Sequence, residues 1–309
     1  MQAIRIHNYG GPEVLTLEEA PTPTPKAGEV LVKVHAASVN PVDWKIREGH
    51  MKAMIPVQFP ATLGCDFAGV IEAVGPDVTE WQVGQSVFGA PAMSNGTYAQ
   101  YVVAASQTIA EKPRNMDFAQ AASLPVAALT AWQGLFDHGH LQAGQSVLIH
   151  GGAGGVGMFA VQFAKWKGAT VYATAGKYDK DWVRELGADT VIDYKNERFE
   201  DSVKEVDLVL DLIGGETQAR SFAVIKPGGA LISAAQPPDP DAGKDRNIRA
   251  EMMRMTPTTA QLKEVADLID SGKIKTFIGA TFPLSETKQA QELSQNGHVR
   301  GKIVLEISQ

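Results

Sequence analysis

The sequence contains a single cysteine, Cys65, among its 309 residues. An internal disulfide is therefore impossible, and zinc sites built from two or more cysteines are excluded. Long apolar runs are also missing, since no stretch reaches the roughly 18 residues that a membrane-spanning helix needs, and we expect no membrane partner. The first residues lack the apolar stretch of a signal peptide, which together with the scarcity of cysteine predicts a cytoplasmic protein.

A basic excess is absent as well, because 28 lysines and arginines face 35 aspartates and glutamates, which gives a net charge of −7. This balance argues against nucleic acid as a partner, since binding to a phosphate backbone needs a positive footprint. Apolar residues make up 44% and charged residues 20% of the chain, which is typical of a folded globular protein and excludes general disorder. The length allows two domains.

Two kinds of pattern divide the chain. Up to about residue 115, short apolar runs are interrupted by glycine and proline, which predicts a small, irregular β domain. From residue 146 onward, strands alternate with helices, and the expected strands cover 146–150, 169–174, 190–193, 206–211 and 230–233. This alternation predicts an α/β fold with a doubly wound parallel sheet. The tail, 258–307, alternates again, and its spacing leaves open whether it extends this sheet or returns to the first domain.

A glycine-rich segment follows the first of these strands and opens the next helix. Its glycines allow a tight turn, a close approach of a diphosphate to the backbone, and close packing of the helix on the strand. The N-terminus of the helix adds free N–H groups and a partial positive charge. The alternative is a glycine-rich turn that binds nothing. The context predicts a dinucleotide site that includes Gly151, Gly152, Gly154, Gly155, Val156 and Gly157.

The end of the following strand indicates which dinucleotide binds. Sites for NAD usually place a carboxylate at the ribose 2′-hydroxyl, roughly 20 residues after the loop. Residues 174–178 supply instead the hydroxyl of Thr174 and the cation of Lys177, which suit a 2′-phosphate. We therefore expect NADPH, with NADH as the alternative cofactor and an ordinary surface position as the alternative for Lys177.

Further segments resemble a known family. Residues 64–75 resemble the signature segment of the medium-chain dehydrogenases/reductases. The run from Asn40 to Asp43 resembles the quinone oxidoreductase (zeta-crystallin-like) branch, in which asparagine replaces a zinc-binding cysteine. The glycine loop, Tyr194 and the ending 297–305 resemble the same branch, so the resemblance covers essentially the whole chain.

The resemblance implies a fold and an assembly. It implies a Rossmann dinucleotide-binding domain over 116–255 and a GroES-like β catalytic domain formed by 1–115 and 256–309. It also implies a homodimer joined through the Rossmann domains. Apolar residues such as Val224 and Ile232 fit such an interface, but they fit a domain core equally well.

The same segment bears on metal binding. In the zinc enzymes of the superfamily a His–Glu pair follows its first glycine, whereas this chain has Cys65 and Asp66 there. Adjacent residues in a strand face opposite ways, and the asparagine at position 40 is a poor zinc ligand. We therefore expect no metal. Without a Lewis acid, an electron-poor quinone or α,β-unsaturated carbonyl compound is the favoured substrate, because it spreads the added charge into an enolate.

The resemblance also implies roles for individual residues. Asn40 and Asp43 are the candidate catalytic residues, Asn40 as a hydrogen-bond donor, and a turn-capping role is the alternative for both. Among the candidate cofactor contacts, Tyr194, Arg300 and Lys302 have solvent exposure as the alternative. For Thr130 the alternative is a hydroxyl bonded back within its own helix. The candidate cofactor contacts are Thr130, Tyr194, Leu212, Ile213, Ser233, Arg300 and Lys302.

Together these observations predict an NADPH-dependent oxidoreductase acting on a small carbonyl or quinone substrate. One alternative is a non-enzymatic, crystallin-like protein that binds NADPH without turnover. The other is an enoyl-thioester reductase, a branch that usually offers a tyrosine near position 50. This chain has no tyrosine between Tyr9 and Tyr98, which disfavours that alternative.

Overall fold

The protein is described by a computed structural model that covers residues 1–297 and 299–307, so His298 of the tail motif lies outside the described residues. The strands are β1 Gln2–Ile6, β2 Thr16–Glu19, β3 Glu29–Val39, β4 Ala61–Thr62, β5 Asp66–Val74, β6 Ser86–Gly89, β7 Tyr101–Ala105, β8 Ile109–Glu111, β9 Ser146–Ile149, β10 Thr170–Ala175, β11 Thr190–Asp193, β12 Val206–Asp211, β13 Ile225–Ser233, β14 Arg249–Met252, β15 Ile278–Pro283 and β16 Lys302–Glu306.

The α-helices alternate with these strands mainly in the middle of the chain. They are α1 Pro41–Arg47, α2 Phe118–Ala122, α3 Pro125–Trp132, α4 Gly157–Lys167, α5 Lys180–Glu185, α6 Phe199–Ser202, α7 Gly215–Ser221, α8 Thr259–Asp270 and α9 Thr287–Asn296. Helix α3 continues as a π-helical segment, Gln133–His138. Among the residues that the structure describes, no helix combines the length and apolar character needed to cross a membrane.

The chain divides into two compact units. The first comprises Met1–Val126, Pro257–Gly272 and the described part of 276–309, and the second comprises Ala127–Thr256 with Lys273–Lys275. The first unit thus reaches beyond residue 115, where the sequence placed its end. The reason lies in α2, which packs against β3 and β5, with the Phe118 ring stacked 4.3 Å from that of His35.

The first unit is built on a largely antiparallel sheet with the strand order β15-β16-β3-β5-β6-β8, in which β7 also pairs with β3, and on a smaller sheet ordered β2-β1-β4. Strand β16 runs antiparallel to β3, with Ile303 opposite Val39. The tail therefore returns to the first unit, which answers the question that spacing left open. Ile4, Leu63 and Leu305 are buried together in its core.

The second unit contains a six-stranded sheet in the order β11-β10-β9-β12-β13-β14, and every neighbouring pair is parallel. This is the 3-2-1-4-5-6 order of the Rossmann fold, so the predicted doubly wound α/β class is confirmed. The edge strand β14 was not expected from the sequence. Val224 and Ile232 are buried inside this unit, so they serve its core.

Candidate functional site

The turn from β9 into α4 requires glycine at several positions. Gly151 has φ +74°, in the left-handed region that glycine adopts without strain. A Cβ on Gly157 would lie 2.1 Å from the carbonyl oxygen of Gly151, and a Cβ on Gly152 would lie 3.0 Å from Cβ of Ala173. Loop and helix therefore pack backbone against backbone, which larger side chains would prevent.

The same loop leaves room for an anion. A Cβ on Gly154 would meet only the Gly151 carbonyl oxygen, at 3.4 Å, so the space above it is open. Gly155 and Val156 lead directly into α4, whose N-terminus carries a partial positive charge. Such a cradle fits the diphosphate of a dinucleotide.

Two buried side chains hold the loop from below. Thr174 accepts a hydrogen bond at its Oγ1 from the Gly151 N–H (3.1 Å), and that oxygen lies 3.3 Å from Nδ1 of His150. Nε2 of His150 lies 2.8 Å from Oγ of Ser221, whose own proton goes to the carbonyl oxygen of Thr217. Nε2 is therefore the protonated nitrogen, and Nδ1 accepts from Thr174.

This arrangement requires a neutral imidazole. Burial lowers the pKa of His150 to about 4, so the ring stays uncharged at neutral pH. Thr174, expected from the sequence to contact the cofactor, is itself buried, and its hydroxyl is engaged with the loop. In the structure it positions the glycine loop, a role that the sequence did not suggest.

The ends of β10 and β11 bring two further predicted residues to one edge of the sheet. Ala175 is paired with Asp193, and the N–H of Tyr194 donates to the Ala175 carbonyl oxygen at 3.3 Å. Lys177 follows the end of β10 and is exposed, and Tyr194 is 53% exposed. A hydrogen bond from Asn196 is the main cause that lowers the pKa of the Asp193 carboxyl, and the nearby charges of Lys180 and Lys177 add to it.

The ends of β12 and β13 complete this edge around a buried carboxylate that the sequence did not single out. Asp211 accepts hydrogen bonds from the N–H groups of Ile213 and Gly214, from Gln218 and from the hydroxyl of Ser233, at 2.8–3.0 Å. It thereby fixes the loop after β12, in which Leu212 is half-buried and Ile213 is 57% exposed. The sequence feature that could have identified Asp211 is an acidic residue at the end of an otherwise apolar strand.

Three predicted cofactor contacts lie elsewhere. Thr130 is buried in α3 of the second unit. Arg300, which is half-buried, and Lys302 belong to the first unit. Lys302 was expected to touch a cofactor phosphate or solvent, but it is only 4% exposed and its ammonium is surrounded by protein oxygens.

These oxygens belong to a buried polar cluster in the first unit, centred on Asp66. The Asp66 carboxylate accepts hydrogen bonds from Ser38 (2.5 Å), from Nδ2 of Asn40 (2.7 Å) and from the N–H of Val126 (2.7 Å). Lys302 donates to Oδ1 of Asn40 at 2.6 Å and lies 3.5 Å from Asp66. The amide of Asn40 is thus held between a cation and an anion.

A second buried carboxylate, Asp43, lies at the start of α1. Its Oδ2 accepts from the N–H of Asn40 at 2.7 Å and from the hydroxyl of Tyr98 at 2.6 Å, and its Oδ1 lies 3.4 Å from Sγ of Cys65. Burial raises the pKa of Asp43 to about 6, although these hydrogen bonds oppose the shift. The backbone bond caps α1, so the turn-capping role proposed for Asp43 is present in the structure.

Cys65 is enclosed by the same cluster. Burial, reinforced by the charges of Asp43 and Asp66, raises the pKa of its thiol well above the usual value. The residue therefore stays a protonated thiol at neutral pH and is packed among its neighbours.

Comparison with known proteins identifies relatives for both parts of the chain. Residues 26–114 match the family model of the alcohol dehydrogenase GroES-like domain, and residues 186–305 match a model described as zinc-binding dehydrogenase. The mitochondrial NAD(P)H oxidoreductase RTN4IP1 of Mus musculus is 36% identical, over 90% of this chain and 82% of that protein. The quinone oxidoreductase of Mus musculus is 33% identical, over 99% of this chain and 97% of that protein.

Solved structures agree with these relatives. The quinone oxidoreductase of Coxiella burnetii has a TM-score of 0.90 and 38% identity, with 99% of each chain covered. The quinone oxidoreductase of Escherichia coli, solved in complex with NADPH, has a TM-score of 0.90 and 27% identity, covering 99% of this chain and all of that one (100%). With the parallel sheet and its glycine loop, these similarities show that the chain belongs to the medium-chain dehydrogenase/reductase family of NAD(P)H oxidoreductases, within its quinone oxidoreductase branch.

Proposed function

We propose that this protein is an NADPH-dependent oxidoreductase that reduces quinones or α,β-unsaturated carbonyl compounds by hydride transfer without a metal. The observation that carries the proposal is the glycine cradle between β9 and α4, where a Cβ on Gly157 would lie 2.1 Å from the Gly151 carbonyl oxygen while the space at Gly154 is open. Such a cradle binds a diphosphate through backbone N–H groups. The relatives named as quinone oxidoreductases support the choice of substrate class.

The dinucleotide would be held by residues along one edge of the sheet. The backbone of 151–157 binds the diphosphate, Lys177 and Tyr194 bind the adenosine phosphate, and the loop with Leu212 and Ile213 borders the nicotinamide half together with Ser233. Thr130, which lies in α3 and not at this edge, would approach the nicotinamide half as well. When bound, the reduced nicotinamide supplies a hydride. The His150–Thr174 pair keeps the loop in place for this binding.

Lys177 is the basis for proposing NADPH over NADH. It is exposed just after the end of β10, where a 2′-phosphate would need a cation. NADH is the alternative, because a carboxylate also lies near the end of this strand and could bind a ribose hydroxyl. An oxygen of Asp179 is 3.6 Å from the place that a Cβ on Gly176 would occupy. The complex of the Escherichia coli relative with NADPH supports the first choice.

Asn40 is the proposed donor to the substrate. Hydride addition to a conjugated carbonyl compound leaves negative charge on the carbonyl oxygen, and a well-placed donor stabilises it by roughly 3 kcal/mol. Asn40 is fixed by Asp66 and Lys302, so its amide is pre-organised for this purpose. The carboxylate of Asp43 accepts a hydrogen bond from the backbone N–H of Asn40 and so helps to fix that residue.

The residues of this cluster do not fit a zinc site. The Cys65 thiol stays protonated, and the Asp66 carboxylate is already satisfied by Ser38, Asn40 and Val126 and paired with Lys302. Within the described ranges, 1–297 and 299–307, no group of three or more His, Cys, Asp and Glu could hold a metal ion. Zinc prefers deprotonated, uncrowded ligands, and the ammonium of Lys302 would repel it.

We further propose a cytoplasmic homodimer joined through the second units. The terminal position of β14 in the parallel sheet supports this assembly, because an edge strand has pairing groups left over for another chain. Analytical ultracentrifugation of the purified protein checks it, and a monomeric mass would rule it out.

Turnover assays test the proposed function. We expect the protein to consume NADPH in the presence of simple quinones or of short enones, and we expect Asn40→Ala to lower kcat by about 100-fold, the usual loss for one such donor. Binding of NADPH without turnover on both substrate panels would favour the crystallin-like alternative. Turnover with enoyl thioesters alone would favour the other one.

A further inference from the structure

Lys302 is a buried cation with a specific set of acceptors. Its Nζ lies 2.6 Å from Oδ1 of Asn40, 3.4 Å from the carbonyl oxygen of Val39 and 3.5 Å from Oδ2 of Asp66. Only 4% of the residue is exposed. Moving an ammonium out of water is costly, so these oxygens are what makes its position tenable.

The chemistry of these partners dictates the orientation of Asn40. An ammonium can only donate hydrogen bonds, and a carboxylate can only accept them. The amide must therefore turn Oδ1 toward Lys302 and Nδ2 toward Asp66, because the flipped amide would face each partner with the wrong group. One N–H of Nδ2 is used by Asp66, and no acceptor for the second occurs among the described residues.

Asp66 does not depend on Lys302 for its own position. Ser38 donates to its Oδ2 at 2.5 Å, and the N–H of Val126 donates to its Oδ1 at 2.7 Å. The group that loses its partner when the ammonium is removed is Oδ1 of Asn40. The amide is then held by its Nδ2 bond to Asp66 alone and has lost one of its two restraints.

We propose that Lys302 is a positioning residue, which holds the Asn40 amide so that its second N–H stays available to the carbonyl oxygen of the substrate. This inference rests on the proposed role of Asn40 as donor. It gives Lys302 no part in binding the cofactor, so its removal affects kcat and leaves NADPH affinity unchanged.

A double-mutant cycle on the full-length protein tests this role. We expect Lys302→Met to lower kcat by about 10- to 100-fold, the range seen when a partner of a catalytic ligand or a reacting geometry is disturbed, with the KM and Kd for NADPH unchanged. Adding Lys302→Met to Asn40→Ala should cost nothing further, because the amide that it positions is already gone. Lys263→Met, which removes an exposed lysine of α8, is the matched control and should behave as wild type.

Each outcome decides the matter. Losses that multiply in the double variant, or a weakened affinity for NADPH in Lys302→Met, overturn the inference while the proposed function stands. Absence of turnover in the wild-type protein overturns the proposed function and this inference with it. If Lys302→Met does not fold, Lys302→Arg replaces it in the cycle. The arginine retains a donor for Oδ1, so its loss should be smaller than that of Asn40→Ala and should vanish in the Asn40→Ala background.

Discussion

Lys302 and Asp66 form a buried ion pair whose value lies in orientation more than in stability. Burying both charges costs several kcal/mol, and a pair of this kind is often no more stabilising than apolar residues of the same volume. Here the two charges instead remove the freedom of an amide between them. The opposite polarities of the two partners leave the Asn40 amide a single orientation.

Lys177 is expected to set the preference of the protein for NADPH over NADH. Replacing it with methionine should lower the preference for NADPH over NADH by about 10-fold or more, because one charge-assisted hydrogen bond to the 2′-phosphate is lost. Fluorescence titration with both cofactors measures the ratio of the two dissociation constants. Lys204→Met, at another exposed lysine of the second unit, is the control. An unchanged ratio in Lys177→Met would show that the lysine is an ordinary surface residue.

The pairing of β16 with β3 brings together the residues of the buried polar cluster around Asp66. Strand β16 lies against β3 with Ile303 opposite Val39, so Lys302 reaches Asn40, which directly follows β3 and precedes α1. A shift of one residue in this pairing would turn Lys302 to the other face of the sheet. The register of two strands from opposite ends of the chain is therefore what the cluster depends on.

The glycine loop gives a prediction at the level of the turn. Gly154→Ala should fold normally, since the new Cβ meets only the Gly151 oxygen at an ordinary 3.4 Å, but it should weaken NADPH binding by about 10-fold or more by filling the diphosphate space. Gly157→Ala should instead lower the free energy of unfolding by about 2 kcal/mol, because its Cβ would lie 2.1 Å from the same oxygen.

Calorimetry and cofactor titration distinguish the two variants. A Gly154→Ala protein with unchanged NADPH affinity would contradict the placement of the diphosphate over that residue. A Gly157→Ala protein as stable as wild type would show that the loop can move away from the helix without cost.

At the scale of the whole molecule, two buried titrating groups act on stability in opposite directions. The pKa of Asp43 is raised to about 6 in the folded state, so the unfolded chain loses its proton first and the free energy of unfolding falls as the pH rises from about 4 to 6. The pKa of His150 is lowered to about 4, so the unfolded chain gains a proton first and stability falls as the pH drops from 6.5 toward 4. Each effect amounts to about 3 kcal/mol, and they offset each other in the wild-type protein.

Removing one group at a time should reveal the other. Relative to wild type, Asp43→Asn should gain about 3 kcal/mol of unfolding free energy between pH 4 and pH 6.5, and His150→Gln should lose about as much over the same range. Urea unfolding at several pH values measures both slopes, followed separately for each unit if the two unfold in distinct transitions. Curves parallel to wild type for either variant would show that its group does not titrate in this way.

Local and periodic features carried most of the fold in the sequence. Apolar strands alternating with helices predicted the parallel sheet, and the strands at 190–193 and 206–211 have the bounds that the structure gives them. The glycine segment was recognisable for the same reason, because its turn, strand and helix are contiguous. Edge strands such as β14 escaped, since half of their environment is solvent and their pattern is weak.

The class of the fold and the place of the dinucleotide loop could thus be inferred without a structure, because both arise from neighbours along the chain. The membership of the polar clusters, in contrast, depends on how the chain folds. Lys302 and Asn40 are 262 positions apart, and Thr174 meets His150 from another strand, so no spacing rule could join them. Such side chains meet only when strand register and burial are set. Once buried, each has lost its hydrogen bonds to water and needs a protein partner in their place.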